Sequence, residues 1–306
     1  MLLVRLRTVT FLLCLSALTS CGTPASSFST VDVRAAQPAA PAQGQIPLPN
    51  KSDTLKFAVI GDNGTGEKAQ YDVGQQLAQW HTKFPFVLVV MMGDNIYGAD
   101  RPQDFVKKFE APYKAVLDSG VKFYASLGNH DSREQRFYKL FNMDGKLYYS
   151  FKAPKEDVRF FALESTYMDP DEVKWIDDEL KKSNDKWKIV FFHHPLYSSG
   201  KTHGSQVKLR DVLEPLFVRY NVSLVLNGHD HTYERIKPMN GIQYFVEGSS
   251  GQLREGDLRR GSPLTAFGND SDRTFMLMEI DGDTLTFNTI TGSGSVIDSG
   301  VITRRK

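Results

Sequence analysis

Short apolar runs recur along the chain, and five of them stop at residues able to do chemistry. LKFAVI (55–60) runs into Gly-Asp-Asn-Gly, FVLVVMM (86–92) into Gly93-Asp94-Asn95-Ile96-Tyr97, and VKFYASL (121–127) into Gly128-Asn129-His130-Asp131. WKIVFF (187–192) ends at His193-His194-Pro195, and VSLVLN (222–227) at Gly228-His229-Asp230-His231. Runs of this length and content predict buried β-strands. Helical spacing appears between them, from Glu67 to about Phe84, over PDEVKWIDDELKKS (170–183) and over QVKLRDVLEPLFVRY (206–220). The second opens on proline and acids and closes on lysines, as helix termini favour. The third places Val207, Leu209, Val212, Leu213, Leu216 and Phe217 on one stripe. YYSFKAP and VRFFALES, around 148–166, predict a hairpin. Beyond Gly241, the runs IQYFVEG, TFMLMEI, DTLTFNTI and SVIDSGVI predict antiparallel strands. The whole predicts an α/β core whose sheet layer is extended by hairpins.

The two ends of this pattern differ. Residues 1–20 carry Arg5 and Arg7 before an apolar stretch, Val9 to Leu18, that is too short to span a bilayer and suits a signal peptide. Leu18-Thr19-Ser20-Cys21 resembles the bacterial lipobox, which implies lipidation of Cys21 and an extracytoplasmic, membrane-anchored protein at a bacterial cell surface or periplasm. Cys14 would be lost with the signal peptide, leaving Cys21 alone and no internal disulfide. Residues 21–53 are rich in Ala, Pro, Ser and Gln, have no period, and are expected to form a disordered tether. The catalytic domain is expected over 54–306. Lys and Arg total 37 against 36 acidic residues, so no basic excess points to a nucleic-acid partner.

In open α/β sheets, ligands bind beyond the carboxyl ends of the strands. Taken singly, the loops are ambiguous. Asp62 and Asp94 are residues that turns and helix caps also use, Tyr97 could sit in a core, and Asn129-His130-Asp131 could be one more turn. His194 reads as pocket wall rather than ligand, and His81, on a helix beside Trp80, as solvent-exposed. Together, two aspartates, an asparagine, three histidines and a tyrosine supply enough oxygen and nitrogen ligands for two metal ions bridged by a carboxylate.

As a set, the loops resemble the five-block signature of the metallophosphoesterase superfamily and, within it, the purple acid phosphatases. The resemblance spans Asp62 to His231. Calcineurin-like relatives carry Asp-x-His in the first block, where this chain has Asp62-Asn63-Gly64. The second block, Gly-Asp-x-x-Tyr, offers Tyr97 in place of the missing histidine. The resemblance implies a four-layer α/β/β/α sandwich of two mixed sheets flanked by helices. It implies one ion, Fe(III), on Asp62, Tyr97, His231 and bridging Asp94. A second ion, Fe, Zn or Mn, would take Asn129, His193, His229 and Asp94. It also implies hydrolysis of phosphomonoesters by a metal-activated hydroxide, with His130 and His203 as candidate proton donors and Asp131 as a candidate orienting group for His130. Substrates would be phosphorylated small molecules or phosphoproteins, selected by loops around 98–104, 195–205 and 250–272. A phosphodiesterase or nucleotide hydrolase on the same scaffold, and a noncatalytic metal- or phosphate-binding lipoprotein, are the rival readings.

The lipobox carries its own test. Cys21→Ser should leave the chain unlipidated and shift it from membrane to soluble fractions once another protease cleaves it. Equal retention of the variant and the parent protein in membrane fractions would contradict the anchor.

Overall fold

The computed structural model describes residues 46–306. The signal segment, Cys21 and the tether up to residue 45 lie outside the described residues. Residues 46–53, assigned to the tether on composition, are held against the sheet instead. Ile46 N donates to Ser299 Oγ (2.8 Å), Lys51 N to Glu279 Oε1 (2.8 Å), and Lys51 pairs with Asp281. Glu279 is buried, and the Asn50 and Lys51 amides and the Thr54 hydroxyl satisfy its carboxylate.

In chain order, the strands and helices are β1 (Leu55–Ile60), α1 (Lys68–Lys83), β2 (Leu88–Met92), the short α2 (Pro102–Phe105) and α3 (Lys114–Asp118), then β3 (Lys122–Ser126). The hairpin β4 (Tyr149–Lys152) and β5 (Val158–Ala162) follows, with α4 (Pro170–Lys182), β6 (Trp187–Phe191), α5 (Val207–Arg219) and β7 (Leu224–Asn227). The chain ends in β8 (Tyr233–Ile236), β9 (Gln243–Glu247), β10 (Thr265–Asn269), β11 (Thr274–Asp281), β12 (Thr284–Thr291) and β13 (Val296–Thr303).

These strands make two mixed sheets. The first runs β13-β12-β11-β1-β2-β3 and the second β10-β8-β9-β7-β6-β5-β4. In the first, β1, β2 and β3 are parallel while β11 to β13 are antiparallel. In the second, β5, β6, β7 and β9 are parallel. Strand alternation explains why both faces of the second sheet are covered. Phe160, Ile189, Phe191, Leu224 and Leu226 join the core between the sheets, while Phe161, Val190, Phe192 and Val225 pack with Ile176, Leu180, Leu213 and Phe217 of α4 and α5. Phe57 meets Phe160 edge-on across the interior at 5.3 Å, and Phe245 meets Phe287 at 4.9 Å. Val73 and Leu77 of α1 join the core that contains the first sheet. The result is the expected four-layer α/β/β/α sandwich.

Three expectations change in detail. On α5, Leu213 and Phe217 are buried, but Val207 and Val212 are exposed. At about 100° per residue, those two valines lie a quarter-turn or more from Leu213, so the true stripe is narrower. The run after Gly241 is not wholly antiparallel, because β9 lies parallel to β7. A strand buried along its whole length looks the same from sequence in either orientation. His81 is half-buried rather than free, with Nε2 3.1 Å from the Phe86 carbonyl and its ring edge-on to Phe86.

One buried carboxylate ties the two sheets together. Tyr233, the first residue of β8, donates its buried hydroxyl to Asp298 of β13 (2.8 Å), and Arg235 Nε donates to the same oxygen (2.8 Å). Asp298→Ala should cost about 3 kcal/mol in urea unfolding, because it strands a buried phenol and a half-buried guanidinium. A loss below about 0.5 kcal/mol, the range of an ordinary surface change, would contradict this role.

Candidate metal centre

Five strand ends converge where the two sheets meet. The loop after β1 and the loop after β2 are stapled through backbone bonds: Asp62 N to Gly93 O (3.1 Å), Gly64 N to Asp94 O (3.2 Å) and Tyr97 N to Gly64 O (2.9 Å). A Cβ on Gly64 would fall 1.9 Å from the Asn95 carbonyl oxygen. The close approach of these loops leaves no room for a side chain at 64, which accounts for the absent histidine. Lys108 Nζ caps the Tyr97 and Ala99 carbonyls at 2.6 and 3.0 Å and fixes the far end of the tyrosine loop. Asp62, Asp94 and His229 all sit at positive φ, between 51° and 71°. Each such non-glycine position costs about 1–3 kcal/mol, and such strain clusters at functional sites.

The seven candidate ligands come together as two trios around Asp94. In one, the Tyr97 hydroxyl lies 3.1 Å from Asp62 Oδ1 and 3.2 Å from His231 Nε2, and His231 Nε2 is 3.4 Å from Asp62 Oδ1. In the other, His193 Nε2 lies 3.0 Å from Asn129 Oδ1 and 3.1 Å from His229 Nδ1. Asp94 Oδ1 is 3.5 Å from His193 Nε2, and ligand atoms of Asp62, Asp94 and His193 all fall within 4.8 Å of one another.

The donor chemistry fits cations. His193 Nδ1 is 2.8 Å from the Met92 carbonyl, so its proton belongs there and its Nε2 presents a lone pair to other acceptors. Burial, and next the neighbouring His194, push the His193 pKa well down, so protonating Nε2 does not relieve the clash. His229 is driven down in the same way, by burial and then by His193. Asp62 is pushed up by burial and then by Asp94, and the Tyr97 phenol by burial and then by Asp62 and Asp94. In the His193 trio the Nε2 lone pair thus faces the Asn129 and Asp94 oxygens, and in the Tyr97 trio burial and like charge favour the protonated acids. A bound cation reverses each of these penalties by stabilising the carboxylate, phenolate and neutral imidazole forms.

The surroundings correct one expectation and add a residue that no motif announced. Asp131 does not orient His130. Its carboxylate accepts from Asn95 N (3.0 Å), Asn95 Nδ2 (2.9 Å), Ile96 N (3.0 Å) and Gly128 N (2.9 Å), tying the loops after β2 and β3 together. His130 is exposed, with its ring 4.9 Å from that of Tyr97, and its backbone N donates to Asp94 Oδ1 at 2.9 Å. His203, also exposed, packs its ring 4.2 Å from His229. The two proton-donor candidates therefore flank opposite trios. His194 is a wall residue as expected: Ser165 Oγ lies 2.9 Å from its Nδ1, and its ring lies 4.3 Å from that of His229. Asp230, between the two histidines, turns away from the trios and accepts from Ser198 Oγ and Gly204 N, holding the loop that carries His203. Arg254 borders the Tyr97 trio and acts with burial to hold the His231 pKa down at about 4, burial being the larger cause. The sequence offered no signal for Arg254 beyond its place in the 250–272 segment.

The fold and this centre define the class. The calcineurin-like phosphoesterase family profile matches residues 55–233, and the chain belongs to that family. Among curated proteins, it is 26% identical to purple acid phosphatase 7 of Arabidopsis thaliana over 294 residues, covering 85% of this chain and 89% of the relative. With purple acid phosphatase 3 of the same plant it shares 30% identity over 245 residues, covering 68% and 66%. Among solved structures, GAP50, the anchor in the inner membrane complex of Plasmodium, shares the fold with a TM-score of 0.72 at 20% identity, over 83% of this chain and 90% of that one.

Glycines make the close packing of the centre possible. A Cβ on Gly128 would fall 2.2 Å from Asp94 Oδ1, and one on Gly228 would fall 2.4 Å from Asp62 Oδ2. Gly128→Ala should therefore displace Asp94 and reduce bound metal per folded chain by at least about half, since both trios share that residue. Metal analysis alongside circular dichroism checks this. Full metal content in a folded variant would contradict a metal-binding role for Asp94.

Proposed function

We propose that the chain is a phosphomonoesterase of the purple acid phosphatase type, working with two metal ions. The observation that carries this is the pair of trios joined at Asp94, with the Tyr97 phenol in the first. Asp62, Tyr97 and His231 would hold Fe(III), and Asn129, His193 and His229 an Fe, Zn or Mn ion, with Asp94 shared. A hard phenolate suits the ferric ion, and the neutral second set suits a divalent one. Bound there, such ions supply a water nucleophile near neutral pH and stabilise charge on the phosphoryl oxygens.

The chain's own groups do the remainder. Met92 fixes the His193 tautomer, Asp131 locks the Asp94 and Asn129 loops in register, and Asp230 seats the loop that carries His203. His130 and His203, exposed beside the trios, would give a proton to the departing alkoxide. Phosphorylated small molecules or phosphoproteins are the proposed substrates. Attachment outside the cytoplasm through lipidated Cys21 is the proposed location.

Turnover of an aryl phosphate monoester by the metal-loaded chain tests the activity. The monoester should be hydrolysed and the corresponding diester much more slowly. Hydrolysis of the diester alone would favour a phosphodiesterase, and turnover of neither a binding protein. If His130 is the proton donor, His130→Ala should slow alkyl phosphates on the order of 10²-fold or more, while activated aryl phosphates change far less. Equal losses on both would assign His130 to positioning.

A further inference from the structure

Arg254 borders the Asp62, Tyr97 and His231 trio, on a segment whose main chain is bonded to Asp62 through Gln252 and to His231 through Arg254 itself. The segment leaving β9 is stapled along the site by Ser250 N to Gly61 O (3.2 Å), Gln252 N to Asp62 O (3.0 Å) and Arg254 N to His231 O (2.9 Å). Gly251 lies so close to the first loop that a Cβ there would fall 2.4 Å from the Asn63 carbonyl oxygen. Arg273 Nε, donating to the Gly251 carbonyl at 2.7 Å, supports the segment from behind.

The side chain is uncommitted. Among the described residues, Arg254 makes no ion pair and no side-chain hydrogen bond, and its Nη1 is buried without a partner. The carboxylates nearby do not reach it: Asp230 accepts from Ser198 and Gly204, and Asp257 Oδ1 accepts from Thr202 N and Oγ1 while its buried Oδ2 makes no bond to the guanidinium. An arginine in this state is unfavourable on two counts. A buried, charged donor is left unsatisfied, and a positive charge is set beside a ring that would bind a cation. Both penalties vanish when an anion arrives between the guanidinium and the metal centre. The planar fork of arginine matches the tetrahedral edge of a phosphoryl group.

We propose that Arg254 binds a terminal oxygen of the substrate's phosphoryl group and thereby selects phosphomonoester dianions over diesters. This rests on the phosphoester reading above and sharpens it. A monoester presents three terminal oxygens and two charges, whereas a diester presents two oxygens and one charge. The oxygen that a diester lacks is the one the guanidinium is free to take.

Arg254→Gln and Arg254→Lys, in the metal-loaded full chain, test the proposal by two independent readouts. Calorimetric affinity for inorganic phosphate should weaken roughly tenfold to a hundredfold in the glutamine variant, the cost of losing a charge-assisted hydrogen bond, and less in the lysine variant. kcat/KM for an aryl monoester should fall over the same range while that for the diester changes little, with metal content equal to that of the parent protein. Unchanged phosphate affinity, equal losses on both esters, or loss of metal from the variant would each overturn it. Should the parent chain hydrolyse neither ester, the activity reading fails, yet phosphate affinity still decides the role of Arg254.

Discussion

Lone pairs that face one another across Asp94 are the constraint on which the rest of this structure depends. His193 has given its only proton to the Met92 carbonyl, so its Nε2 faces Asn129 Oδ1 and Asp94 Oδ1 with nothing to donate. The Tyr97 hydroxyl donates to Asp62 Oδ1 and also meets His231 Nε2, so three ligand atoms crowd one point. A protein core does not assemble such contacts for stability, because each is repulsive or half-satisfied without a positive charge between the atoms. Much of the architecture around them serves to hold this arrangement in place.

The two sheets do this holding. Parallel strands deliver their carboxyl ends to one place, and the loops after β1 and β2 are strained and bonded to each other through their main chains. Asp62, Asp94 and His229 are kept at positive φ because neighbouring glycines permit closer packing than any side chain would. Asp131 and Lys108 fasten the loops from outside, and Tyr233 and Arg235 fasten β8 to the opposite sheet through Asp298. Rigidity of this kind places ligands before any ion arrives, which favours electrostatic preorganisation over rearrangement during the reaction.

How much of this was legible follows from where the information lies. Each catalytic block directly follows a run of buried residues, so one hydrophobic pattern located both the strand and its chemistry. That is why Asp62, Asp94, Tyr97, Asn129, His193, His229 and His231 could be named from sequence and are found together. The strands β8 and β10 were missed because Tyr-Glu-Arg-Ile and Thr-Ala-Phe-Gly-Asn contain few apolar residues, and tertiary pairing makes them strands. Adjacency in sequence suggests Asp131 as a partner of His130, but its hydrogen bonds reach a loop more than thirty residues away in sequence. Arg254 carries no signal beyond its place in the 250–272 segment, since its position at the trio is set by main-chain bonds from Gln252 and from itself, to which residue type contributes nothing.

The most direct measurement of the central claim is metal analysis joined to a visible spectrum of the purified, iron-supplied chain, with Tyr97→Phe beside it. Two ions per chain are expected, with a visible charge-transfer band from the Tyr97 phenolate on Fe(III). The phenylalanine variant should stay folded and lose the band. One ion or none per chain would contradict the paired trios. A colourless parent protein, or a band that survives Tyr97→Phe, would contradict the assignment of Tyr97 to a ferric site.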